Sequence, residues 1–180
     1  MKIACLGWGS LVWDPRSLRV RSEWFMDGPL LPIEFARKSQ DSRITLVIAP
    51  GSPHVRSLWA LSSVESVEGA KTDLANREGT NPENIDVWTK AATAKPDAGP
   101  EDVEREVGQW ATRLDLDAVI WTALDPTLGS ADLVVKHLRD LHHEERAHAE
   151  RYVRMAPRQI DTPYRRRIEQ EFGWSPLGPG

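Results

Sequence analysis

Short apolar runs alternate with polar, glycine- and proline-rich breaks along this chain, and the period of the pattern changes at the breaks. Ile3-Ala4-Cys5-Leu6 is continuously apolar and stops at Gly7-Trp8-Gly9-Ser10, which predicts a buried strand feeding a tight loop. Asp14-Pro15 then reads as a helix N-cap with proline at the first helical position. Residues 31–37 and 43–49 have strand character on either side of the polar Lys38-Ser39-Gln40-Asp41-Ser42. They predict a hairpin whose second, β-branched strand is central. Pro50-Gly51-Ser52-Pro53 marks a turn before another strand from Val55 to Leu61.

The period then lengthens. A helix is predicted from about Ser66 to Arg77 or Glu78, with Gly79 as its stop. Residues 82–88 suggest a further strand, and Lys90 to Pro100, rich in Ala, Thr, Pro and Gly, an exposed loop within one domain. Val103, Val107, Trp110, Ala111 and Leu114 fall on one face of the next helix. Ala118 to Leu124 forms a buried strand between Asp117 and Asp125-Pro126. Ser130 caps a long amphipathic helix to about Met155, carrying Val134, Leu138, Leu141 and Tyr152. Thr162-Pro163 opens a last helix that Gly173 ends, ahead of an irregular tail. This order lacks regular βα alternation, which argues against a doubly wound nucleotide fold. The expectation is an α+β fold: a small mixed β-barrel with helices packed outside. Residues 1–180 form a single domain in this reading, with a helical C-terminal part from about 130.

Composition narrows the function classes. With 180 residues, 40% hydrophobic and 28% charged, the chain is globular and large enough for its own core. A net charge of −4 argues against nucleic acid or an anionic membrane as partner. No apolar run approaches the ~18 residues of a membrane span. The single cysteine, Cys5, has no internal disulfide partner and fits a reducing cytoplasm; mid-strand, it reads as a small buried hydrophobe. Of the eight tryptophans, Trp8 and Trp13 flank the glycine loop and are candidates to wall a ligand pocket, although packing is the safer reading for each. Trp59, Trp110 and Trp121 sit in core patterns.

Two places break local rules in ways that suit chemistry. Gly7 and Gly9 permit backbone conformations closed to other residues, so that several N–H groups converge on a carboxylate or an oxyanion. Glu78 falls at the carboxyl end of its helix, where the macrodipole disfavours a negative charge. Repulsion from the helix carbonyls, with burial, would favour its protonated form and suit a proton shuttle. Arg16, just past the loop, and Arg37, ending a strand, are candidate anchors for a substrate carboxylate. Other constellations fall short. His143 and His148 are five apart, off the H-E-x-x-H spacing, so residues 142–148 read as a solvated helix face. Val12 occupies the position where G-x-S-x-G needs glycine, which weakens a Ser10 nucleophile, and it breaks G-x-G-x-x-G as well. Arg165-Arg166-Arg167 reads as ordinary surface.

The loop Gly7-Trp8-Gly9-Ser10-Leu11 resembles the Tyr-Gly-Ser-Leu or Tyr-Gly-Ser-Asn loop of the gamma-glutamylcyclotransferase-like superfamily. In that family a hairpin follows, then a strand leading into a helix with a catalytic glutamate in a Leu-Asp-x-x-Glu-Gly motif. Here Val55 to Leu61 matches the strand and Leu74-Ala75-Asn76-Arg77-Glu78-Gly79 the motif, so the resemblance covers roughly residues 2–88. Trp8 stands where the family has tyrosine, and Ala75 where it has aspartate. The resemblance implies cyclisation of a small gamma-glutamyl or related amide to 5-oxoproline with release of an amine. Glu78 would act as general acid/base and the N–H groups from Trp8 to Leu11 as carboxylate or oxyanion donors, with no metal or cofactor. The rivals are a non-catalytic small-molecule or peptide binder on the same fold, and an interaction protein using the helix from 130 to 155.

Overall fold

Strand β1 (Ile3–Gly7), buried at all five residues, is the inner strand around which the first of two units is built. The computed structural model describes residues 1–91 and 103–178, so residues 92–100 of the loop expected from Lys90 to Pro100 lie outside the described residues. Contacts divide the chain into one unit of residues 1–7, 15–31 and 56–123, and another of 8–14, 32–55 and 124–180.

In the first unit β1 pairs antiparallel with β6 (Leu58–Leu61) and parallel with β8 (Ala118–Thr122). Strand β8 pairs antiparallel with β7 (Ile85–Thr89), giving the order β6-β1-β8-β7. The parallel pair at the centre explains why Ile3–Leu6 and Ala118–Trp121 are continuously apolar and buried. Helices α1 (Val67–Glu78) and α2 (Val103–Arg113) pack against β7 and β8. Both meet the expected positions, as do the core assignments of Trp59, Trp110 and Trp121. Ser66 caps α1 by accepting the Gly69 N–H. A segment from Val20 to Gly28 lies along β6: Arg21 donates to the Leu61 carbonyl, Phe25 bridges Trp59, and Gly28 donates to Ser57. It covers an edge that would otherwise be open to pairing.

In the second unit β3 (Ile33–Lys38) and β4 (Ile44–Ile48) form the expected hairpin, with a bulge between Glu34 and Arg37. Helix α5 (Pro163–Phe172) packs on β3 and on α3 (Ala131–Asp140), and α4 (His143–Met155) on β4. Thr162 caps α5 and Gly173 closes it in the left-handed conformation, as the sequence predicts.

Several expectations need correction. The fold is α+β, but none of the sheets among the described residues closes into a barrel. The single long helix from Ser130 to Met155 is two helices, broken at Leu141 and His142. Leu141 is extended, and the His142 N–H donates to the Glu145 carboxylate at 3.2 Å; this cap starts a new helix where the apolar stripe gives no sign of a break. No helix begins at Asp14-Pro15. The chain there turns on itself, with Leu18 donating to the Pro15 carbonyl and Arg16 at φ 48. Strand 55–61 splits into β5 (Val55–Arg56) and β6, because Ser57 turns both its N–H and its hydroxyl to the Pro29 carbonyl. Pro32, without an N–H, likewise separates β2 (Leu30–Leu31) from β3. No helix of the described residues is long and apolar enough to cross a membrane.

Candidate functional site

Glu78 is the last residue of α1, and its side chain keeps 21% of its surface exposed. Oε1 accepts from Arg77 Nη1 at 2.7 Å, while Oε2 makes no hydrogen bond with a described residue. The Arg77 side chain is 1% exposed, an unusual place for a guanidinium. The unfavourable helix-end charge is answered twice. Arg77 pairs with it, and Gly79 (φ 66) and Thr80 donate to the Asn76 and Ala75 carbonyls, forming a Schellman motif that removes part of the carbonyl charge. Ala75, where the family motif has aspartate, is buried core.

Glu78, Asp73 and Arg77 all act electrostatically on Cys5. Burial pushes the Cys5 thiol far up, and the two carboxylates push it further, against a smaller pull from Arg77. Cys5 is thus the inert hydrophobe expected from its place in β1.

The glycine loop owes its glycines to space rather than to backbone angle. Neither Gly7 nor Gly9 has positive φ. A Cβ on Gly7 would lie 2.5 Å from the Trp24 ring, and one on Gly9 would run into the Tyr152 hydroxyl. Downstream the loop is knotted by Val12 donating to Gly9 and Asp14 to Ser10. The N–H groups of Gly9 and Leu11 meet no acceptor among the described residues, although both residues are buried. Unpaired buried N–H groups are rare, and the loop offers these two as donors.

Trp8 is buried. It is 5% exposed and its indole donates to the Leu46 carbonyl at 3.3 Å. Trp13 is half-buried with its ring edge-on to Tyr152 at 5.4 Å. Ser10 is half-buried, and Leu11 is core at 5% exposure. Arg16 is exposed, whereas Arg37 Nη1 is committed to the Asp125 carbonyl at 2.6 Å. Glu78, Gly7 and Arg16 belong to the first unit; Trp8, Gly9, Ser10, Leu11 and Arg37 belong to the second.

Residues outside the expected set stand out. Glu34 is 1% exposed on β3 and accepts from its own neighbour's Phe35 N–H, from the Thr162 hydroxyl and from the Tyr164 N–H. Arg165, read as surface from its triple-arginine run, is 2% exposed and donates to the carbonyls of Val153, Ala156, Pro157 and Ile160. It satisfies the acceptors left at the end of α4. Arg166 and Arg167 are surface pairs with Asp161 and Glu171. His143, Glu144 and His148 are exposed, and no group of the described residues could hold a metal ion. Tyr152 announces itself in sequence only as an aromatic with a polar tip on an apolar helix stripe.

A cleft of about 390 Å³ within the first unit runs between Lys71 on α1, Asp86 and Val87 on β7, Trp121 on β8 and Glu104 on α2. It is lined by none of the expected site residues. Comparison with models of known families, with curated proteins and with solved structures returned no match.

Proposed function

We propose that the chain is a gamma-glutamylcyclotransferase-like enzyme which cyclises a small gamma-glutamyl amide. The amine of the glutamyl group attacks its own side-chain amide carbonyl, forming the ring C–N bond of 5-oxoproline. The amide C–N bond breaks and the amine leaves. Glu78 takes the proton from the attacking nitrogen and returns it to the departing one. The loop N–H groups hold the substrate carboxylate or the developing oxyanion, and holding the flexible chain in a cyclising shape contributes several kcal/mol.

The observation that carries this reading is the state of Glu78: one oxygen fixed by a buried arginine, the other open. A proton shuttle needs a carboxylate that is held in place yet retains a free oxygen. Within the second unit, the unpaired N–H groups of Gly9 and Leu11 are donors of the kind this reading needs.

The test is 5-oxoproline release from a panel of gamma-glutamyl amides by wild type and Glu78→Gln. Turnover should fall by about 10²–10⁴-fold in the variant, the range expected for loss of a general acid/base. Equal turnover would remove Glu78 from the chemistry. A second reading, a non-catalytic small-molecule or peptide binder on the same fold, is favoured by one fact. The indole of Trp8, where the family has a tyrosine hydroxyl, is spent on Leu46. Ligand binding without turnover by folded wild type would select it.

A further inference from the structure

Leu46 lies in the middle of β4, and side chains rather than a neighbouring strand meet its backbone. Its carbonyl accepts from the Trp8 indole at 3.3 Å, and its N–H donates to the Tyr152 hydroxyl at 3.3 Å. A strand edge that would otherwise need another strand is therefore closed by one residue of the glycine loop and one of α4.

Tyr152 does more than close that edge. It is 6% exposed, and its ring is fixed edge-on by Trp13 at 5.4 Å and by Phe35 at 6.4 Å. The Arg43 guanidinium lies 5.6 Å from the ring centroid. Its ring is thus flanked on several sides, and its hydroxyl, which accepts the Leu46 N–H, lies in the space that a Cβ on Gly9 would fill. Gly9 lies between two residues anchored in this way, Trp8 by its indole and Val12 by its N–H to the Gly9 carbonyl. The stretch that carries the unpaired Gly9 and Leu11 N–H groups is held at both ends and pressed in the middle.

We propose that Tyr152 is a positioning residue for this loop: through its hydroxyl on Gly9 it aims the Gly9 and Leu11 N–H groups at a ligand carboxylate or oxyanion. Tyr152 itself need not touch the ligand. This inference deepens the cyclotransferase reading, which assigns those donors to the substrate, and it gives a C-terminal helix a part in a site the family resemblance confines to residues 2–88. It also gives Gly9 a reason to be glycine that owes nothing to positive φ.

Carboxylate probes test it apart from turnover. Titration of 5-oxoproline, and separately of glutarate, into ¹⁵N-labelled wild type should shift the Gly9 and Leu11 amide resonances saturably. Tyr152→Phe, which keeps the ring and removes one oxygen, should weaken the probes about fivefold to tenfold. With any gamma-glutamyl amide that wild type turns over, it should raise KM by the same factor and leave kcat within about twofold. The double variant Gly9→Ala/Tyr152→Phe refills the space and tests the same loss should the single variant fold poorly. Amide shifts at neither Gly9 nor Leu11 in wild type would overturn the inference. So would unchanged probe affinity in a variant that is merely less stable. Probe binding that responds to Tyr152→Phe, with no turnover of any amide by wild type, would uphold the inference and defeat the cyclotransferase reading instead.

Discussion

Glu34 takes a carboxylate into the interior of the second unit, and its surroundings fix how stability depends on pH. Burial pushes its carboxyl up, and the hydrogen bonds from Thr162, Phe35 and Tyr164 bring it part of the way back. The folded protein therefore holds this proton more tightly than the unfolded chain does. The contribution favours folding while Glu34 is protonated and is lost as pH rises from the ordinary glutamate range, about 4.3, through the higher folded value. Asp161, held low by Arg166, acts in the opposite sense: its contribution is present above the ordinary aspartate range and is lost as pH falls. Urea midpoints measured upward from about pH 4 should thus show a decline in wild type that Glu34→Gln lacks. The same variant should cost about 1–3 kcal/mol at the acid end, because the glutamine amide presents N–H groups to the Tyr164 N–H. Parallel pH profiles for the two proteins would show that Glu34 does not set this slope.

Two helix caps of one chemical type differ in surroundings, which separates local from tertiary contributions at the level of elements. Ser66 opens α1 in water and accepts only the Gly69 N–H. Thr162 opens α5 while wholly buried, accepting from Arg165 and donating to Glu34. Ser66→Ala should cost about 1 kcal/mol, the usual loss of a cap. Thr162→Ala should cost about 2–3 kcal/mol, since it also deprives a buried carboxylate of a donor; equilibrium unfolding of both variants decides it, and equal losses would count against the Glu34 link. The contrast also marks what the sequence makes legible. Both caps, the Gly79 and Gly173 stops, the 33–48 hairpin and the two central apolar strands can be read along the chain, because each is a local pattern of periodicity or turn chemistry. The break at Leu141–His142 cannot, since Leu138 and Ala149 stay in phase across it and only the His142 N–H meeting the Glu145 carboxylate reveals it. Glu78 was legible as a misplaced charge, but its partner's burial was not, and the reason for Gly9 lay 143 positions away in Tyr152. Close approach between distant segments leaves no period to read.

At the scale of the molecule, neither unit is a continuous stretch of chain. Six segments alternate between them, so the chain crosses from one to the other five times. A cut after Ala123 leaves every segment of the first unit, 1–7, 15–31 and 56–123, together with the loop 8–14 and the hairpin segment 32–55 of the second. It removes α3, α4 and α5, of which α5 packs on β3 and α4 on β4. Ile33, Phe35, Ile44, Leu46 and Val47, each at most 5% exposed, would then face water. Exposed contiguous apolar surface of this kind drives association. Fragment 1–123 should therefore bind a hydrophobic dye and self-associate in sedimentation, even though the four-stranded sheet is complete in it. It should also lose the Leu46–Tyr152 contact, and with it any saturable response of the Gly9 and Leu11 amides to 5-oxoproline. A monomeric fragment with sharp, cooperative unfolding would show that the hairpin and loop hold their form without the helices. If that fragment still answered the carboxylate, the loop would be autonomous, and Tyr152 would be packing against a conformation that Trp8 and the Gly9–Val12 turn already dictate.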